Sequence, residues 1–337
     1  MAQVTNTYST YDSARLREEF SDAIHMITPE ETPLLSLLGR EKVKSTHPEW
    51  NTDTLATPVT TNQQLEGDEY TYSPITATTR VGNYTEIARK AYIITRTNES
   101  ALKAGPKSEL GRERRKKGVE LKKDMEASLL HNKASVAGSD TVARVAGGFP
   151  SWLTSNDDRD GGGSDGGFNS GTGLTVAASN GSQRAFTKAI LDAVILASYN
   201  SGGNPTTFMC SPYVKTVFSS LMTGVGIAGT AATQSMVSGE KQATIYAAAD
   251  TYRSDFGTID VVPNRVMAAV GATSARNGLL IDPDMAAVGI YDDIFEDKPA
   301  KTGDAEKRVL LCEFTLIMKN QAAHGVAADL YGMTSNS

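Results

Sequence analysis

The chain has 337 residues, 39% of them hydrophobic and 21% charged, with a net charge of −6. That is enough apolar material for one large or two modest domains, and no run of about 18 apolar residues marks a membrane span. Cys210 and Cys312 sit in apolar stretches and read as buried reduced thiols; four scattered histidines lack metal-ligand spacing, so neither metal nor cofactor is expected.

Residues 1–50 read as an arm. Tyr11 to Ile27 has helical spacing of Leu16, Phe20, Ala23, Ile24 and Ile27. Pro29 and Pro33 then break the chain, and Leu34, Leu35, Leu37 and Leu38 follow, ended by Gly39. So short a leucine turn is expected to dock on a neighbouring subunit. Residues 51–98 are rich in Thr, Val, Tyr and Ile and read as an extended β excursion. Its tip is polar and acidic, with Glu66, Asp68 and Glu69, and Pro74 argues against a central strand on the way back. Such two-stranded excursions are marginal alone.

Gly105 to His131 reads as one long helix, with Pro106 in its first turn and Ser108 as a possible cap. Gly111, Gly118, Leu121, Met125 and Leu129 share a stripe, and two glycines on a packing face point to another backbone close by. Arg112, Arg114, Arg115 and Lys116 form a basic cluster that suits phosphates or a neighbour's acidic tip. Ala101 to Lys133 carries ten Lys/Arg against five Asp/Glu, leaving the remainder of the chain acidic.

Ala134 to Gly181 is glycine-rich. Gly147 to Leu153 reads as an apolar anchor within it, and Asp157 to Gly173 as a mobile surface loop. From 182 onward the chain reads as a compact domain. Ser182 is placed as the cap of a helix carrying Phe186, Ile190 and Val194, and Ser211-Pro212 opens a second helix carrying Val214, Val217 and Phe218. A hairpin turns at Asp255 to Gly257. Strands are expected at Thr206–Cys210, Leu279–Ile281 and Val288–Tyr291, with Asp292 to Asp297 in a loop. Arg308 to Lys319 is apolar on both faces and must be a central strand. Strands and helices mix without βα repetition, which gives an α+β class.

Two phrases imitate catalytic motifs. Gly224 to Gly229 spells G-x-G-x-x-G, but the dinucleotide fingerprint needs a strand before it and a helix after it, and the segment before it has helical spacing. Gly162 to Gly166 spells G-x-S-x-G without the strained strand-to-helix turn. His324 reads as a packed or capping histidine.

The order of arm, β excursion, long basic helix and compact α+β domain resembles the major capsid protein of tailed double-stranded DNA bacteriophages. Local phrases carry the resemblance too: Thr28 to Gly39, then His47-Pro48-Glu49-Trp50 with Asp53 and Leu55, and Lys319 to Gly325 near the end. The resemblance implies named parts. These are an N-terminal arm (1–50), an extended loop overlapping an adjacent subunit (51–98), a spine helix with a glycine-rich insertion (99–183), an axial domain (184–290) and a peripheral return strand with the C-terminus (291–337). It implies a non-enzymatic protein that assembles with itself as pentamers and hexamers, in an icosahedral virion shell built in the host cytoplasm. Portal, separate scaffolding and decoration proteins, and non-specifically held DNA, would be its partners; no membrane is involved. Subunit contacts are then expected at the four leucines, the acidic tip, the basic cluster, and Gly224, Gly226 and Gly229 at a capsomer centre. The competing readings are an encapsulin-like shell of the same fold and a nucleotide-binding enzyme using Gly224 to Gly229.

Overall fold

The computed structural model describes residues 28–70, 72–101, 108–223, 236–239, 242–245 and 249–333. In chain order, α1 (Pro33–Leu37) and β1 (Gly39–Lys42) precede β2 (Glu49–Thr52), and β3 (Thr79–Gly82) returns to pair with β2. β4 (Glu86–Thr95) and α2 (Arg96–Ser100) lead into the long α3 (Glu109–Leu130). β5 (Asp157–Asp158) and a hairpin of β6 (Gly167–Asn169) and β7 (Leu174–Val176) follow. Next come α4 (Lys188–Asn200), β8 (Thr207–Cys210) and α5 (Pro212–Thr223), then two hairpins: β9 (Met236–Gly239) with β10 (Gln242–Ile245), and β11 (Thr251–Ser254) with β12 (Gly257–Pro263). α6 (Arg265–Val270), α7 (Ala272–Ala275) and β13 (Gly278–Ile281) precede the two longest strands, β14 (Ala286–Asp297) and β15 (Ala305–Met318), and β16 (Gly325–Ala327) closes the fold.

Two sheets dominate. One has the order β1-β14-β15-β4, the other β11-β12-β8-β13-β16-β5. β15 is central as expected, antiparallel to β14 and β4. Alternation explains how the second sheet is buried on both faces. Met209, Leu279, Ile281 and Val326 face the core shared with α3 and the first sheet. Phe208, Cys210, Leu280 and Ala327 face α4 and α5, which contribute Leu191, Ile195, Val214 and Phe218. Cys210 and Cys312 are free buried thiols, and burial pushes both up to about 12.

The four leucines correct the expectation of a neighbour contact. Leu34, Leu35 and Leu38 are buried in the protomer's own core beside Leu121, Met125 and Leu129 of α3, and Leu37 packs against the same cluster. A short helix cannot satisfy its own first N–H groups, and a partner 92 residues away does so here. The Glu126 carboxylate on α3 accepts from Leu34 N–H and Leu35 N–H, both at 2.8 Å. Its Oε1 also accepts from Asn264 Nδ2 at 2.7 Å, and the Asn264 side-chain oxygen caps α6 by accepting from Val266 N–H at 2.8 Å. Burial raises the Glu126 pKa, and its three donors pull it back.

Four other expectations shift. α4 starts at Lys188 with Thr187 at its cap position, not at Ser182, and it buries Ile190, Leu191, Val194 and Ile195. Asp292 to Asp297 continue β14 instead of forming a loop. The glycine-rich tract is built into the fold: β5 pairs with β16, Arg159 lies between Asp157 (3.4 Å) and Asp165 (3.1 Å), and Phe168 stacks on the buried anchor Trp152 at 5.8 Å. Gly166 permits this, since a Cβ there would stand 2.8 Å from the Ser151 carbonyl oxygen. Finally, the part boundaries at 50 and 291 do not follow the sheets. β1 belongs to the first sheet, and β16 crosses back into the second.

His324 is fully buried, with Nδ1 accepting from Asp282 N–H at 3.1 Å and its ring edge-on to Phe149. Burial pushes its pKa down to about 4, against about 6.5 in an unfolded chain. The unfolded state therefore binds a proton between those values and the native state does not, so stability falls as pH drops from 6.5 to 4. The shift is worth on the order of 3 kcal/mol. His324→Asn keeps an acceptor for Asp282 N–H and is expected to flatten this acid limb in chemical denaturation measured across pH. Glu126→Gln, which turns an NH2 toward donor groups, is expected to lower unfolding free energy by about 1–3 kcal/mol in the same assay.

Candidate assembly surface

The excursion between β2 and β3 is anchored at its base and bare beyond it. Trp50 Nε1–H donates to the Met318 carbonyl at 2.9 Å, and its ring lies 5.6 Å from that of Trp152. Arg80 pairs with Glu49 across the two strands. From residue 53 to 78 the described residues form neither helix nor strand. Leu55 (99% exposed), Ile75 (98%) and Tyr72 (91%) have essentially no contact with the rest of the protomer, and Val59, Leu65 and Tyr70 are also exposed. Burying one such side chain is worth about 1.5–3 kcal/mol. Single exposed apolar residues need no explanation, but six on one extension mark an interaction surface.

The acidic tip folds as a turn. Gly67 has φ +86°, which a side chain would resist, and Asp68 N–H donates to the Leu65 carbonyl at 3.2 Å. Glu66, Asp68 and Glu69 are all exposed.

α3 begins at Glu109, four residues after the expected Gly105, with Ser108 as its cap: the Ser108 hydroxyl accepts from Gly111 N–H at 3.1 Å, and Gly105 and Pro106 lie outside the described residues. Leu121, Met125 and Leu129 are buried, but the two glycines are not pressed by any backbone of the same chain. A Cβ at Gly118 would meet nothing within 4 Å, and one at Gly111 only Ser108. Gly118 lines a recess of about 700 Å³ between α3 and the first sheet, floored by Leu35, Met125, Val288 and Leu310. Arg40, Arg114 and Lys122 line it too, with Asp293 and Glu296 on the sheet side.

The basic cluster divides by partner. Arg112 is engaged within its own helix by Glu109 and Glu113, each at 3.0 Å. Arg114 reaches Glu296 at 3.7 Å, where Tyr92 also donates at 2.8 Å; burial and this hydrogen bond push the phenol up to about 12. Arg115 and Lys116, like Arg40, Lys122 and Lys123, make no ion pair with any described residue. Gly224, Gly226 and Gly229 lie outside the described residues. The segment before them is α5, a helix, where the dinucleotide fingerprint requires a strand. Ser164 sits in an isolated bridge with Ser179, their hydroxyls 2.8 Å apart. Among the described residues no cluster of His, Cys, Asp or Glu could hold a metal, and no helix is long and apolar enough to cross a membrane.

A further surface escapes the sequence reading. The half of the first sheet turned away from α3 exposes Ile87 (56%), Ile93 (60%) and Phe295 (48%). The alternation of β4 carried that signal, but only the position of α3 shows which face is left uncovered.

A family profile described as "SU10 major capsid protein" matches residues 3–331. The major capsid protein of Escherichia phage Phieco32 is 31% identical over 127 residues, 38% of this chain and 36% of that protein; the match thus spans about a third of that relative. Among solved structures, the cyanophage A-1(L) capsid asymmetric unit superposes with TM-score 0.60 at 15% identity, covering 96% of this chain and 98% of that one. The holo-SrpI encapsulin complex from Synechococcus elongatus superposes with TM-score 0.53 at 12% identity, covering 96% and 95%. At these identities the two structures share the fold.

Gly118 sits in the middle of a helix, where glycine costs about 1 kcal/mol relative to alanine. Since the protomer leaves the Cβ position empty, Gly118→Ala is expected to raise the unfolding free energy of the dispersed protein by about that amount, read from its denaturation midpoint.

Proposed function

The chain belongs to the SU10 major capsid protein family, and from that we propose that it is a structural shell protein, assembling with itself into pentamers and hexamers that close an icosahedral capsid around phage DNA. The observation that carries this is the bare 53–78 extension, with six exposed large apolar side chains on a segment whose described residues form neither helix nor strand. An extension of that kind lowers free energy only by lying on another copy. Each contact is weak, and a closed shell multiplies it over many symmetric sites.

We assign the receiving surface on the neighbouring copy to the recess beside α3. Its apolar floor suits Leu65 and Tyr70, which flank the tip, and Arg40, Arg114 and Lys122 suit Glu66, Asp68 and Glu69. Gly118 leaves room for a neighbour's backbone. In this reading β1, β4, β14 and β15 with α3 form the peripheral part, and the second sheet with α4 and α5 forms the axial part. Gly224, Gly226 and Gly229 would face the capsomer centre. Portal, separate scaffolding and decoration proteins would be met by the assembled shell, and DNA would be held without sequence readout. Assembly would take place in the host cytoplasm. An encapsulin-like shell shares the fold, but the family profile names a capsid protein, which favours the phage reading.

Electron microscopy of the protein co-expressed with its neighbouring genes is expected to show closed particles. Uniform monomers or dimers under all conditions would sink the shell reading. Reversing the tip charges (Glu66→Lys, Asp68→Lys, Glu69→Lys) is expected to leave melting unchanged, since the tip touches nothing, while abolishing or strongly reducing closed particles at the parent's concentration. Normal shells from the triple variant would remove the tip from the interface without touching the shell assignment.

A further inference from the structure

The free edge of β4 differs from the other edges of the two main sheets. An edge strand presents unpaired N–H and C=O groups to any extended chain, and proteins blunt such edges by keeping them short, charged, bulged or covered. β1, at the far edge of the first sheet, has four residues, and Arg40, Glu41 and Lys42 are charged. The second sheet ends on β11, with four residues, and β5, with two. β4 has ten residues, no proline, and a register with β15 that never shifts.

The free groups on this edge can be named. Arg96 N–H donates to the Asp304 carbonyl at 3.3 Å, which continues the β4–β15 register as a hydrogen-bonded pair. Such pairs recur at every second residue, so the even-numbered residues of β4 turn their backbone toward β15. The N–H and C=O groups of Ile87, Arg89, Ala91 and Ile93 therefore point outward, and no described group hydrogen-bonds to them. Their side chains are exposed on the face turned from α3. On the other face, Lys90 pairs with Asp124 of α3 at 2.6 Å, and Ser128 of α3 donates to Glu86.

The first limb of the 53–78 extension matches this edge on two independent grounds. A strand added to β4 must direct N–H groups at it, and Pro58 has none. The even-numbered residues of the limb must then face away, and Leu55, Thr57 and Val59 must face β4. Opposed residues in an antiparallel pair set their side chains on the same face. That parity places the exposed Leu55 and Val59 in the same surface as the exposed Ile87 and Ile93. The proline and the apolar pattern thus select the same pairing without reference to each other.

We propose that residues 55–59 of one copy add to the free edge of β4 in a second copy, as a fifth, antiparallel strand of the first sheet. This rests on the reading that the extension lies on another copy, and it adds where the first limb goes and how it is held. With the acidic tip in the recess, limb and tip would sit astride α3 of one neighbour. The chain from Val59 to Leu65 reaches about 20 Å when extended, and a helix with its side chains is about 10–12 Å across. Backbone pairing would supply the affinity, and the row of Leu55 and Val59 the specificity.

The test is hydrogen exchange, read by mass spectrometry on peptides covering residues 86–95. The full chain is measured dispersed at low concentration and again as assembled particles. Assembly is expected to slow exchange at Ile87, Arg89, Ala91 and Ile93 about tenfold or more. Adjacent prolines separate backbone pairing from mere proximity. Ala56→Pro, where the N–H points away, should keep both particles and protection. Thr57→Pro, which removes an N–H aimed at β4, should lose the protection and lower particle yield. Both residues are exposed on the bare limb, so neither variant should shift the melting of the dispersed protein. Particles whose β4 amides exchange as fast as in the dispersed protein would overturn the added strand and leave the shell reading standing. Equal behaviour of the two proline variants would do the same. Full protection in the dispersed protein would place the strand within one protomer and overturn the proposal as well. Absence of particles under every condition would sink the shell reading and the added strand together.

Discussion

One buried carboxylate holds the protomer's parts in register. Glu126 lies deep on the spine helix and accepts from the first free N–H groups of α1 and from the side chain that caps α6. An ionised or even a neutral carboxyl group is costly to bury without donors. Here its three donors come from two stretches of chain remote from α3, so the group is satisfied only when the leucine turn and the entry to α6 both meet the spine helix. That ties the leucines into a core running from the first sheet to the second. The rest of the structure, including the recess beside α3, is positioned relative to that joint.

From this joint outward, the protein divides what it buries itself from what it leaves to others. The core residues of β8, β13 and β16 alternate between two apolar environments and are covered on both sides. The extension beyond Trp50 is the opposite case: its base is pinned by a hydrogen bond and aromatic contacts, and its outer reach touches almost nothing. Mid-helix glycine without a crowded Cβ position and cations without partners belong to the same class of feature. The mid-helix glycine costs the isolated protomer some stability, the exposed cations are left to solvent, and both leave room for another copy to be brought up.

The electrostatics follow that division. Where the basic helix meets acids of its own chain, as at Arg112 with Glu109 and Glu113, the pairs are surface pairs worth little individually. The net effect is a helix with a basic exposed face within a chain that is net negative elsewhere, which favours like copies meeting in one orientation.

The sequence by itself determined several element types and their placement, though the β excursion expected over 51–98 is paired strand only at its base, in β2 and β3, before β4. The double-sided apolar pattern of Arg308 to Lys319 required a central strand, Ser108 marked the start of the spine helix, and the acidic tip between two β-rich runs was legible as an exposed turn. Those features rest on local periodicity and local hydrogen bonding, which one stretch of chain carries alone. Only the tertiary structure decided the fate of the four leucines, because their partner Glu126 is 92 residues away and no local signal announces it. The same holds for the glycine-rich tract, whose polar composition reads as mobile but whose backbone packs against Ser151 and pairs with β16. It holds too for the return of β16 to the second sheet. Long-range pairing depends on which surfaces are left uncovered once the helices are placed, and that is a property of the assembled fold.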